Sequence, residues 1–177
     1  MIELRLWGIL VLTALGVGLS CFVLLYERTL EARKVKLVEM ARSQARLMEA
    51  VAKFDAFFVS SEIKGAARSA TLSQIKESHR RYSGFGETGE IVLAERIGPE
   101  IVFVLPTRKR NFRVPPPVSI ESSKAGPMKL ALEGGSGVVQ RVDHSGADVL
   151  AAYEWLPFLD MGLVCKIDMA EIRAPFF

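Results

Sequence analysis

Histidine and cysteine are both scarce in this chain: two of each in 177 residues. Cys21 and Cys165 lie far apart and make neither a metal-ligand spacing nor a disulfide framework. With so few histidines, a Cys/His metal centre is nearly excluded. Charge of one sign is also missing. Lys and Arg total 23 against 20 Asp and Glu, a net +3, which is too balanced for a protein that coats nucleic acid. No phosphate-cradling glycine loop, no HExxH and no GxSxG occurs. Without a visible nucleophile and base pair, the chain reads as a non-enzyme with no cofactor. Asp143, Asp148, Asp160 and Asp168 fall at strand ends, as turn and cap residues, without calcium-loop spacing.

Two local absences organise the rest. From Leu6 to Tyr26 there is no charge at all. As a helix, that run spans about 31 Å, close to one bilayer core. Trp7 and Tyr26 stand at its ends, where interfacial aromatics belong. The run is too long for the apolar core of a signal peptide and no A-x-A site follows it. It therefore reads as a transmembrane helix, after a short tail over residues 1–5. From Glu27 to Phe58 there is no Gly and no Pro. Good helix formers dominate, so the rod continues over 27–58. Leu30, Leu37, Gln44, Val51 and Phe58 recur every seven residues, with Arg33, Met40, Leu47 and Phe54 three later. This stripe predicts a parallel homodimer through Leu30–Leu47, with Gln44 restricting register. It also predicts that Phe54 and Phe58 pack on the chain's own domain, while Leu30 and Leu37 stay exposed in one chain.

Residues 59–83 read as a loop and a short helix, about Leu72 to Arg81, capped by Thr71 and Gln74. After Gly84 the period becomes that of strands. Five are predicted: Glu90–Ile97, Ile101–Leu105, Gly137–Asp143, Val149–Trp155 and Gly162–Asp168. A short helix over Met128–Glu133 follows the proline-rich loop, and a last helix begins after Asp168. Short connections favour hairpins. The expected fold is thus α+β: a five-stranded antiparallel PAS-like sheet, with helices on one face.

Several segments carry a family resemblance: GFGETGE over Gly84–Glu90, IVFVL over Ile101–Leu105, Gly134–Val139, VLAAYE over Val149–Glu154, and GLVCKID with AEIRAPF over Gly162–Phe176. Together they resemble the extracytoplasmic Cache sensor domains of bacterial receptors such as membrane histidine kinases and diguanylate cyclases. The resemblance implies a sensor domain over 84–172, an exit helix beginning at 173–177, and a chain anchored in the bacterial inner membrane with residues 1–5 cytoplasmic and the sensor domain periplasmic or extracellular. The charge count alone points the other way, with Arg28, Arg33, Lys34 and Lys36 after the membrane run. Sizeable domains translocate largely regardless of such flanking charge. The chain then resembles the sensory piece of a longer two-component receptor, signalling through its helices. The other reading is a membrane-tethered dimerisation module without a ligand.

Candidate ligand-binding residues are Arg108, Arg110, Tyr153, Tyr82 and His79. The two arginines follow the second strand, and guanidinium forks suit a small anionic ligand. His79, Tyr82 and Tyr153 each offer a polar tip on an apolar body. Membrane lipid is the other expected partner, and nucleic acid is not one. Arg141 and Glu154 are expected to face each other as a cross-strand ion pair. Cys165, inside a buried strand, is expected to be an inert core residue.

Overall fold

In a computed structural model, the structure describes all residues except 1, 59–63, 81–83, 109–110 and 177; the side chains of 2–5, 58 and 64–67 also lie outside the description. The glycine- and proline-free stretch extends the apolar run into one unbroken helix, α1, over Ile2–Phe58. Leu6 to Leu25 is exposed throughout. This part of the helix is long and apolar enough to cross a membrane.

Beyond the apolar run, α1 packs on a sheet. Leu37, Ala41, Ala45, Met48 and Ala52 are buried, at spacings of three and four that form one helical face. Three of these five are alanines, so the helix axis lies close to the sheet. Helix α2 (Lys64–Arg80) packs beside α1, and the Thr71 hydroxyl donates to Asp55 Oδ2 at 2.6 Å. Thr71 is therefore a buried mid-helix residue and not an N-cap. Its hydroxyl is used to tie α2 to α1.

The sheet has six strands: β1 (Glu90–Ile97), β2 (Glu100–Phe103), β3 (Val118–Ser119), β4 (Gly137–Val142), β5 (Asp148–Leu156) and β6 (Met161–Asp168). They run in the order β3-β2-β1-β6-β5-β4, and every pair is antiparallel. The class is α+β, as expected. The extra strand is the two-residue β3, where the chain leaves its proline run and Val118 pairs with Ile101.

Helices cover both faces, not one. Ile91, Leu93, Leu150, Ala152, Leu163 and Cys165 form a core with α1. On the other face, Val92, Ala94, Phe103, Ala151 and Val164 pack with α3 (Gly126–Leu132), through Met128 and Ala131. Strand alternation produces this division directly, since odd and even residues of β1 and β6 serve different helices. The last helix, α4 (Met169–Arg173), leads to Phe176. Its ring meets Tyr26 edge-on at 5.4 Å and Phe22 at 5.8 Å. The segment after α4 thus returns to the end of the apolar run of α1.

The stripe on α1 divides differently from expectation. Leu37 is 3% exposed and Leu30 packs against the same core, whereas Phe54 is 61% exposed. The buried face of α1 runs through Leu37, Ala41, Ala45, Met48 and Ala52, and Phe54 lies off that face although Ala52 and Asp55 on either side of it are buried. The Phe58 side chain lies outside the described residues. Truncating Leu37 to Ala should cost about 2–5 kcal/mol of stability, and truncating exposed Leu47 less than about 0.5 kcal/mol. Thermal unfolding of the two variants checks this.

Candidate functional site

Lys166 sits in the middle of β6, a strand buried from Met161 to Ile167. Val164 and Lys166 share a strand face, so the ammonium points toward α3 rather than α1. It is 1% exposed. Opposite it on β1 stands Glu90, paired in register with Lys166, with Oε2 at 3.0 Å from Nζ. On the other side Lys166 pairs with Ala151, whose small side chain leaves a path to Asp143 at the end of β4. The Lys166 ammonium donates to Asp143 Oδ2. Asp143 Oδ1 accepts from Ser145 N at 2.8 Å, Ser145 Oγ at 2.6 Å and Ala147 N at 3.1 Å. One carboxylate thus organises the β4–β5 turn and closes the buried cluster.

Burial alone would raise the Asp143 pKa. The Lys166 charge, then hydrogen bonds from Lys166 and Ser145, overcome this and bring it to about 2. Lys166 is pulled down by burial but carried above its ordinary value by the two carboxylates. Two anionic groups therefore face one cation in a dry interior. His144 adds its ring nearby, with Nδ1 4.0 Å from Asp143 Oδ2 and its face tilted on Phe103 at 4.7 Å. Lys166, Asp143 and His144 line a cavity between the sheet and α3, closed by Ala125, Pro127 and Met128. Its free space is about 10 Å³, room for about one water.

A second concavity lies at the start of β1, lined by His79, Gly84, Glu90, Thr107, Arg108 and Phe112 among others. Glu90 thus belongs to both sites. His79 Nε2 is 3.3 Å from the Pro106 carbonyl. Burial lowers the His79 pKa, with the Pro106 hydrogen bond and Glu90 opposing, so the ring is neutral near pH 7. Arg108 Nη1 donates to the Gly86 carbonyl at 3.2 Å. The same turn is gripped from the other side by Glu171 on α4. Glu171 accepts from Glu87 N at 3.1 Å, Thr88 N at 2.7 Å and Thr88 Oγ1 at 2.6 Å. Gly86 has φ +63°, and a Cβ there would overlap the Glu171 carboxylate. Only glycine lets the turn sit so close.

Of the five residues singled out from sequence, the structure brings two together. His79 and Arg108 share the concavity at β1. Tyr82 and Arg110 lie outside the described residues. Tyr153 is elsewhere: it pairs with Gly137 at the β4 side of the sheet, and its ring packs over Gly135 and Gly137. Strands β1 and β6 separate it from the chain that follows β2. Arg141 and Glu154 do not pair. Register sets Arg141 opposite Val149 on the α3 face, whereas Glu154 turns to α1 and meets Arg42 at 3.3 Å. Cys165 is fully buried, and burial raises its thiol pKa to about 12.

The Lys166 cluster was missed because Asp143 reads as an ordinary turn residue. One signal was available: a lysine at the centre of GLVCKID, a strand otherwise apolar up to its last residue. Such a lysine demands a buried acid. No group of three or more metal-ligating side chains occurs among the described residues. No protein-family model matches the chain, and no curated protein matches it.

Proposed function

We propose that the chain is the membrane-anchored, extracytoplasmic ligand-sensing part of a bacterial signalling receptor of the Cache kind, without catalytic activity of its own. The observation that carries this reading is the buried Glu90–Lys166–Asp143 cluster, of which Lys166 and Asp143 line the cavity beneath α3. Such a cluster gives a core little stability, because desolvating ions costs several kcal/mol each. Within the cluster two carboxylates face one ammonium, and Lys124 on the cavity's lining is solvent-exposed, so the group that complements the cluster is a small cation such as a protonated amine. A ligand of that kind needs more than one water's space, so α3 moves outward when it binds. The ligand shifts the protein between states only by its different affinity for each. The shift reaches the membrane through α1, which packs on β5 and β6, and through α4, whose end meets Tyr26.

The dimer belongs to the same proposal, with its seam moved along the rod. Leu37 is occupied by the chain's own sheet, but Leu47, Ala50, Phe54 and Phe57 are exposed at three- and four-residue spacing. A second copy anchored in the same membrane covers that stripe. Cysteine introduced at position 47 should crosslink between chains far more than cysteine at position 37.

A second reading, a tethered module without a ligand, is favoured by the small free volume beneath α3. Thermal unfolding of the full chain in lipid nanodiscs, against a panel of small amines, carboxylates and phosphates, separates the two. The sensor reading expects at least one amine to raise the melting temperature, and Asp143→Asn to abolish the rise. No response to any compound supports the second reading.

A further inference from the structure

We infer that the concavity at the start of β1 is a binding site for a compact oxyanion, a carboxylate or a phosphate group, held by Arg108 and Thr107. This site is distinct from the cavity beneath α3, and its binding test stands whether or not the sensor reading holds.

Three observations converge. First, Thr107 is 2% exposed, lines the concavity, and its hydroxyl has no hydrogen-bond partner among the described residues. A buried unmet hydroxyl costs on the order of a full hydrogen bond, so a site that keeps one is set up to receive a ligand atom. Second, Arg108 is half-buried and makes no ion pair with a carboxylate among the described residues; its one hydrogen bond there goes to the Gly86 carbonyl. Most of its five donors remain for a ligand, in the planar fork that fits two oxygens at once. Third, Glu90, the carboxylate that lines the site, is drawn to the Lys166 ammonium at 3.0 Å, which it shares with Asp143, so its charge is met in part from the far side. Arg108 is the cation among the described lining residues. The free space is about 10 Å³. That suits a compact group seated at the mouth and excludes an extended molecule from the interior.

Occupancy has a structural consequence. An anion on Arg108 competes with the Gly86 carbonyl for the guanidinium. Gly86 lies in the turn that Glu171 grips through the Glu87 and Thr88 amides. Binding therefore loosens the Arg108 side of a turn whose other side is attached to α4.

The same oxyanion chemistry is offered by free metabolites and by anionic lipid headgroups, and the test has an arm for each. The full chain is placed in phosphatidylcholine nanodiscs and titrated calorimetrically with acetate and with inorganic phosphate. In the second arm, the nanodiscs contain phosphatidylglycerol and no free anion is added, and amide exchange is read at Glu87 and Thr88. We expect binding, or an exchange change, that Arg108→Gln and Thr107→Val each weaken by about tenfold or more and that Arg42→Gln leaves unchanged. Arg108→Lys keeps the charge but loses the fork, and should retain only part of the affinity; it serves if Arg108→Gln does not fold. Response to free anion alone identifies a soluble ligand, and response to phosphatidylglycerol alone a headgroup. No response in either arm, or a response that survives both Arg108 variants, overturns the inference.

Discussion

Replacing Lys166 with Met should destabilise the folded chain by about 3–5 kcal/mol, because two buried carboxylates then face each other without a cation. The methionine fills nearly the same volume, so lost packing contributes little. The pH dependence should change sign as well. In the native protein Asp143 is depressed to about 2 from an ordinary value of 3.8. Its contribution is fully present above the ordinary value and is lost as pH falls through about 2. In Lys166→Met the carboxyls are raised instead, so the variant should gain stability as pH falls from about 7 to about 5. Adding Glu90→Gln and Asp143→Asn to Lys166→Met should recover most of the loss and flatten the pH response. Thermal unfolding of the native, single and triple variants across that range measures all three effects.

The second large effect is expected at Gly126, the first residue of α3. Its φ is +38°, and a Cβ built there would overlap the Val142 carbonyl oxygen, which is backbone and cannot swing away. Gly126→Ala should therefore cost more than about 2 kcal/mol, combining a strained dihedral with a displaced helix. Because α3 roofs the cavity over Lys166, the same substitution should speed amide exchange in Met128–Leu132. Gly134→Ala makes a useful comparison: its φ is +86°, but nothing lies within reach of its Cβ. It should show only the dihedral cost, about 1 kcal/mol. Near-equal losses at the two positions would mean that α3 is not held against Val142 as described.

Much of this architecture is legible in the sequence, and the reason is physical. Uncharged residues from Leu6 to Tyr26 and the absence of Gly and Pro up to Phe58 leave little option but one long helix, which is what forms. Turn residues fix the hairpins: Gly98–Pro99 joins β1 to β2, and Ser145–Gly146 joins β4 to β5. What periodicity does not reveal is which partner covers a stripe. Leu37 and Phe54 satisfy the same heptad pattern, but only the position of the sheet decides that Leu37 is covered and Phe54 is not. Ion pairs failed for a related reason. Arg141 and Glu154 lie on adjacent strands, yet register puts them on opposite faces. Asp143 looked like any turn aspartate because its partner Lys166 is 23 residues away, joined to it only once β5 lies between them. The concavity at β1 was half legible: Arg108 and His79 stood out as residue types, whereas Thr107 carries no signal until its hydroxyl is seen to be buried and unmet.

The sensor reading is tested most directly by amide hydrogen exchange of the full chain in nanodiscs, with and without the amine that most raises its melting temperature. The account predicts altered exchange in α3 and the Asp143–Ala147 turn, together with a change in α4, where the chain returns to Tyr26 at the end of the apolar run of α1. Protection confined to any other surface, with α3 and α4 unchanged, would contradict it.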